Sequence, residues 1–192
     1  MRRINVCIML LAVLAAFPAL AQTNRAPAAT NSAMAEAKAE AAFRAAVLHT
    51  EEVRAKCIQG RRLICGKILL VQPEGLVVES GYTNLLREPL TKSWLVPGTV
   101  VASRAEDQVE GSEPGATCIG TVFLTDLPRS KGAKPKRYDY VILTGYPAGQ
   151  HTYTSLGTIT KTVRSFSAQL SKAVAANLQS QTNPPPAEAK VK

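Results

Sequence analysis

Residues 63–80 read LICGKILLVQPEGLVVES, and this stretch decides the fold class. Leu63 to Val71 is a mainly aliphatic run, Pro73-Glu74-Gly75 is a strong turn signal, and Leu76 to Ser80 resumes the apolar run. Short apolar runs on both sides of a Pro/Gly turn are typical of a β-hairpin. The stretch therefore predicts two antiparallel strands joined by a tight turn.

Further short apolar runs with intervening turns follow the hairpin. We predict four more strands, over Thr99–Ser103, Thr117–Thr125, Tyr138–Gly145 and Tyr153–Val163. Regular short strands separated by turns are typical of a small barrel or sandwich, and closing the sheet would protect the edges of so short a set. We therefore predict a mainly β fold, a small antiparallel barrel of about six strands.

A helix is predicted on each side of the β region. Residues 35–57 are rich in Ala, Glu and Lys and contain no Gly or Pro, which favours a helix, although its apolar stripe is thin. Apolar residues later recur at spacings of three and four: Val163, Phe166, Leu170, Val174 and Leu178. That spacing predicts a C-terminal amphipathic helix that covers an open end of the barrel.

The first 21 residues have the pattern of a signal peptide. Arg2 and Arg3 precede an uncharged apolar run, Pro18 breaks that run, and Ala19-Leu20-Ala21 offers the small-x-small cleavage pattern. We predict export to the periplasm or the outside of the cell, and no transmembrane segment after leader removal. The remaining segments are predicted as a disordered linker over 22–34, a barrel domain with its C-terminal helix over 58–180 and a disordered tail over 181–192.

Three cysteines remain after the leader is removed, namely Cys57, Cys65 and Cys118. In an oxidising compartment we expect one disulfide with one thiol left over, and the sequence leaves all three pairings open. No second cysteine or histidine stands at metal-ligand spacing, so the sequence predicts no metal site and no cofactor.

The densest charge run is a basic loop followed by two tyrosines. The candidate anion-binding residues are Arg129, Lys131, Lys134, Lys136, Arg137, Tyr138 and Tyr140. We expect the two tyrosines to share one face of a strand, because side chains alternate along it. Such a surface suits a polyanion through charge contacts and stacking. The alternative is a solvated loop with half-buried tyrosines, and export disfavours nucleic acid as the partner.

His151 and Trp94 are two further candidate positions. His151 could act as a base if it paired with Asp139 or Asp126, although no Gly-x-Ser-x-Gly motif is present and we predict no enzyme. Trp94 is the only tryptophan. It is either an exposed anchor for a partner or, as we favour, a plug at one end of the barrel.

Several short motifs in the chain resemble those of a known class of small barrel proteins. The hairpin Gly66–Val71 and Gly75–Val78 resembles the opening hairpin of small OB-like and SH3-like barrels. With Gly81-Tyr82, the segment Leu124–Pro128, and the late tyrosines Tyr146 and Tyr153, the chain resembles uncharacterised exported small-barrel proteins of bacteria. The resemblance implies a fold and no particular activity, and the arginine and carboxylate pattern of secreted OB-fold nucleases is not identifiable.

The net charge of +9 falls to +7 when the two leader arginines are removed, and a basic chain favours anionic partners. We therefore predict a non-catalytic envelope module that binds an anionic polymer or a protein partner. The alternatives are a structural protein that assembles through its helices and, with least support, a hydrolase or nuclease. The oligomeric state stays open.

Overall fold

The computed structural model describes residues 28–88, 92–104, 108–129, 133–155 and 158–182. The chain divides into two units, Met1–Ala42 and Phe43–Lys192. The predicted signal peptide and the last ten residues of the predicted tail lie outside the described residues.

The helices are α1 over Ala28–Gln59, α2 over Leu170–Thr182 and a single 3₁₀ turn over Thr83–Leu86. Helix α1 begins inside the segment 22–34 that was predicted as a linker, because its alanines favour the helix from its first turn. Among the described residues, no helix combines the length and the apolar character needed to cross a membrane.

The six strands form one mixed sheet. They are β1 Arg62–Val71, β2 Leu76–Ser80, β3 Leu95–Val96, β4 Gly120–Thr125, β5 Tyr140–Ser155 and β6 Ile159–Ser167. The sheet order is β1-β2-β4-β6-β5-β3, and β1 pairs additionally with β5. Pairs β1–β2, β2–β4, β5–β6, β3–β5 and β1–β5 are antiparallel, whereas β4 and β6 are parallel. The prediction of about six strands is confirmed, and the prediction of an all-antiparallel sheet is wrong.

Two other strand predictions are wrong. Thr99–Ser103 contains no strand, and β3 lies earlier. Strand β5 continues past the predicted strand end at Gly145, through Gly149 to Ser155. Gly149 has φ +98, which a glycine tolerates inside the strand, where the register of β5 with β6 shifts.

The C-terminal helix begins later than predicted. Val163 and Phe166 belong to β6, and α2 begins at Leu170. Residues three apart face opposite sides of a strand, and Val163 and Phe166 indeed pack against different apolar clusters. Leu170, Val174 and Leu178 do share a helix face, which packs on Val53 and Cys57 of α1.

Strand β1 separates two buried clusters. Ile64 and Ile68 pack with Val122, Leu124 and other residues in the largest cluster. Cys65, one position along the strand, faces a second cluster that contains Leu85 and Tyr140.

Strand β1 also has a β-bulge at Leu69. Ile68 pairs with Val78, but the next paired residue is Leu70, opposite Val77, so Leu69 has no partner across the strand. A bulge re-aims a side chain that strict alternation would send to the other face. Leu69 and Leu70 accordingly both pack against one buried cluster, which consists of Val77, Phe123 and Tyr153.

Candidate anion-binding site

A four-residue turn, Lys136–Asp139, leads into β5. The Asp139 N–H donates to the Lys136 carbonyl at 3.2 Å. The Asp139 carboxylate accepts two backbone N–H groups, from Lys136 at 2.9 Å and from Gly98 at 3.0 Å. The Asp139 side chain therefore closes the turn and connects it to the loop that follows β3. These hydrogen bonds fix the backbone from which the Lys136 and Arg137 side chains extend.

Tyr138 occupies the third position of this turn in a left-handed conformation, with φ +75. A turn with positive φ at this position ordinarily has Gly or Asn there, and a bulky residue is an outlier that costs about 1–3 kcal/mol. The Tyr138 N–H donates to the Ile68 carbonyl of β1 at 2.8 Å, which holds the turn against the sheet.

The Tyr138 ring holds two cations at the surface. Its side chain is 49% exposed. The Lys67 Nζ atom lies 5.0 Å from the ring centroid, and the Arg137 Cζ atom lies 4.8 Å from it. Both distances are within the range of a cation–π contact, which orders side chains that would otherwise be mobile. Lys67 lies in β1, far from the turn in sequence, and the sequence analysis did not include it.

Two clefts flank the turn. One, of ≈ 300 Å³, includes Lys134, Lys136 and Asp139 in its lining. The other, of ≈ 290 Å³, has Arg137 as the one cation among the described residues that line it. We call Lys67, Lys134, Lys136, Arg137 and Tyr138 the cationic turn. Three of its four cations line these clefts, and Lys67 reaches the turn through the Tyr138 ring.

The predicted pairing of Tyr138 with Tyr140 on one strand face is wrong. Strand β5 begins only at Tyr140, and the positive φ of Tyr138 turns its ring outward. Tyr140 is 6% exposed and meets the Tyr82 ring edge-on at 5.7 Å. Tyr140 is therefore a core residue. Arg129 is exposed after β4, and Lys131 lies outside the described residues.

The three described cysteines are free and buried, so the structure differs from the expected disulfide. Each belongs to a different apolar cluster. Cys65 and Cys118 lie on opposite sides of β1, which prevents their thiols from meeting. Burial raises the pKa of Cys65 to about 12 and that of Cys118 to about 11, and it also raises the pKa of Cys57. Protonated, buried thiols are poor nucleophiles.

His151 is paired with an amide instead of a carboxylate. Its Nε2 atom lies 3.2 Å from Gln72 Oε1, and its ring stacks on Phe123 at 3.5 Å. Asp139 holds the turn described above, and the Asp126 carboxylate accepts the hydroxyls of Thr125 and Ser167. The predicted pairing of His151 with either aspartate does not form. Within the described ranges, no group of three or more His, Cys, Asp or Glu side chains is placed to hold a metal ion.

A cluster of charged side chains is centred on Glu110. Its carboxylate accepts a bidentate pair of hydrogen bonds from Arg164, at 2.8 and 2.7 Å, and a bond from Arg62 Nε at 3.1 Å. The Arg164 hydrogen bonds lower the pKa of Glu110 to about 2. Sequence analysis missed this cluster, since its members are widely separated along the chain and no motif joins them.

Trp94 is half-buried and packs against the largest apolar cluster, as a plug would. Its carbonyl accepts the N–H of Ile142 in β5 at 2.8 Å. The packing of its half-buried side chain disagrees with an exposed anchor.

Comparison with protein-family models, with curated proteins and with solved structures finds no match for this chain.

Proposed function

We propose that this protein is a non-catalytic module that binds an anionic polymer through the cationic turn. The observation that carries the proposal is Tyr138, whose costly left-handed backbone presents an exposed ring to Lys67 and Arg137. Backbone strain of this kind persists where the surrounding structure enforces it, and it concentrates at functional sites. A solvated loop would have no need for it.

The chemistry of the turn favours charge recognition over base stacking. Two cations already lie over the Tyr138 ring, so a nucleobase that stacked there would displace one of them. Tyr140, the second tyrosine of the predicted stacking surface, is buried. The net charge of +7 that remains without the leader attracts polyanions over longer distances. These features suit sulfate, phosphate or carboxylate groups on a polymer.

We also propose that the five strands other than β3 form an OB-like barrel. The support is the series of pairings β1–β2–β4–β6–β5, with β5 paired back to β1. OB-type barrels bind oligosaccharides and oligonucleotides on their strands and loops. A solved structure in which β1 and β5 are separated would contradict this architecture.

The setting that we propose is the cell envelope. The support is the leader pattern of residues 1–21 and the basic charge that remains without it. A protein partner with an acidic surface is the other ligand compatible with this site. His151 contacts Gln72 and Phe123 instead of a carboxylate, so we do not propose hydrolysis.

Heparin affinity chromatography tests the proposal. The triple variant Lys134→Ala, Lys136→Ala, Arg137→Ala removes three of the four cations. We expect its affinity for heparin to fall between about tenfold and a hundredfold, because each cation near a polyanion contributes about 1 kcal/mol at most. The difference should shrink at high salt, since exposed charges are screened.

A matched control is Lys56→Ala, Arg61→Ala, Lys172→Ala. It removes the same numbers of lysines and arginines from exposed positions away from the turn. We expect it to elute close to the wild type. Equal losses in the two triple variants would show that net charge alone binds heparin and would refute the site.

A second candidate function is assembly through α1, favoured by two exposed apolar side chains. Phe43 is 69% exposed and Leu48 is 66% exposed. Large exposed apolar residues of this kind often mark contacts with a partner. Under this candidate, the wild type sediments as a concentration-dependent oligomer and Phe43→Ser, Leu48→Ser sediments as a monomer. A wild type that stays monomeric at high concentration would reject it.

A further inference from the structure

We infer that the cleft beside Arg137 binds one sugar unit of an acidic glycan. The cleft has a volume of ≈ 290 Å³ and is lined by Leu69, Leu70, Arg137, Tyr153, Thr154 and Ser155. The inference rests on the proposed function, since it names the polymer that the cationic turn would bind. We call this cleft the sugar cleft.

The apolar wall of the sugar cleft is made by the β-bulge of β1. In a regular strand, Leu69 and Leu70 would face opposite sides, but both line this cleft. Bulges are frequent next to active and binding sites, where they re-aim a side chain. Tyr153 completes the wall. The apolar side chains of Leu69 and Leu70 suit the C–H face of a pyranose.

The remaining lining groups are polar and suit the other parts of a sugar acid. Thr154 and Ser155 offer hydroxyl groups at the end of β5, which can donate to or accept from sugar hydroxyls. Arg137 offers a planar guanidinium that matches a carboxylate or sulfate. The strained Tyr138 directly follows Arg137, and its ring contacts the guanidinium of this cleft residue.

The size and neighbours of the cleft indicate a unit within a chain. Small-ligand pockets ordinarily measure about 300–1,000 Å³, so this cleft lies at the lower limit and suits a single ring. Lys136, the residue before Arg137, lines the second cleft together with Lys134. A polymer with one sugar in the first cleft would therefore meet further cations in the second.

Other anionic ligands fit this cleft less well. A nucleobase needs a free flat ring for stacking, but Tyr153 is 8% exposed and Tyr138 already contacts two cations. Inorganic polyphosphate has no apolar face to place against Leu69 and Leu70. An acidic sugar is the ligand that uses the apolar wall, the hydroxyls and the guanidinium together.

Calorimetric titration with two short anions tests the inference. The probes are tetragalacturonate, which has sugar rings, and tetrapolyphosphate, which has charge alone. We expect Thr154→Val and Leu69→Asn each to weaken tetragalacturonate binding by roughly three- to tenfold, in the range of one lost hydrogen bond or apolar contact. Their tetrapolyphosphate affinity should stay at the wild-type value.

Each variant has a matched control. Thr160→Val changes the strand partner of Thr154 on β6, and Val71→Asn changes an exposed residue of β1 outside the cleft. Both controls should bind tetragalacturonate as the wild type does. Thr154 is exposed, so its variant is expected to fold even if Leu69→Asn does not.

The outcomes separate this inference from the proposed function. If both cleft variants keep wild-type affinity for tetragalacturonate while the triple variant of the cationic turn loses it, the sugar cleft is refuted and polyanion binding stands. If the triple variant also keeps its affinity, the proposed function fails. Tighter binding of a single-stranded DNA tetramer than of tetragalacturonate would overturn the choice of a glycan.

Discussion

At the scale of the residue, Tyr138 links backbone conformation to the placement of two cations. Its left-handed backbone is costly for any side chain with a Cβ atom, yet it places the ring where Lys67 and Arg137 converge. The Asp139 carboxylate and the hydrogen bond to Ile68 enforce this geometry from both sides of the turn. Tyr138 therefore has the strained backbone of the turn and also the ring that Lys67 and Arg137 contact.

Two substitutions at Tyr138 separate these effects. Tyr138→Gly and Tyr138→Ala both remove the ring, but only glycine relieves the positive φ. We expect the glycine variant to have an unfolding free energy about 1 kcal/mol higher than the alanine variant, as measured by urea denaturation. Heparin affinity should fall equally in both. Alanine matching or exceeding glycine in stability would show that the turn is unstrained.

Sequence reading found part of this site. Lys134, Lys136, Arg137 and Tyr138 lie within five consecutive residues, so the sequence alone indicates their high charge density. Lys67 was missed because it reaches the Tyr138 ring from another strand. The sign of φ at Tyr138 was not predictable either, because a tyrosine normally indicates extended backbone and only the closed turn imposes the left-handed form.

At the scale of the element, Glu110 fastens the loop before β4 to two strands. It accepts hydrogen bonds from Arg62 of β1 and Arg164 of β6, and also the backbone N–H of Ile119 at 3.1 Å. Arg164 in turn donates to the Ile119 carbonyl at 3.0 Å. The parallel contact between β4 and β6 begins beside this cluster, at Val122 and Arg164.

The variant Glu110→Gln tests the contribution of this carboxylate. We expect it to lower the unfolding free energy at neutral pH by about 1–3 kcal/mol, because two arginines lose a charged acceptor. The folded pKa of about 2 lies below the ordinary value of 4.5. The carboxylate therefore stabilises the fold fully above pH 4.5, and this contribution is lost as the pH falls towards 2.

Urea denaturation at several pH values measures this effect. The difference between wild type and Glu110→Gln should narrow between pH 4.5 and 2. Glu113→Gln is the control, because Glu113 is an exposed carboxylate in the same loop. A gap between wild type and Glu110→Gln that is constant over this pH range would contradict the depressed pKa.

Elements with strong local signals were predicted well. The bounds of β2 were predicted to the residue, because a Pro/Gly turn and a buried apolar run define them. The predicted strand end at Gly145 was wrong. Glycine is common in turns, but here β5 continues through Gly149. The predicted helix start at Val163 was wrong, since a helical spacing does not exclude a strand that buries both faces.

At the scale of the whole molecule, the choice of strand partners was beyond the sequence. Hairpin signals predict that strands next to each other in the chain pair with each other, and in this way they predicted the β1–β2 pair. The parallel pair β4–β6 and the long-range pair β1–β5 depend on how the apolar faces pack together. The free cysteines follow from the same packing, because each thiol is enclosed in its own cluster.

The pairing of β1 with β5 also has a kinetic consequence. It joins Arg62 to Gly145, so the chain must close a long loop before this contact contributes any stability. The parallel pair likewise joins residues far apart in the chain, from Val122 with Arg164 to Thr125 with Ser167. Chains dominated by such non-local contacts fold in roughly milliseconds to seconds, slower than helical bundles of equal size. During that interval the half-built sheet exposes unpaired edges to other chains, so folding at high concentration should compete with aggregation.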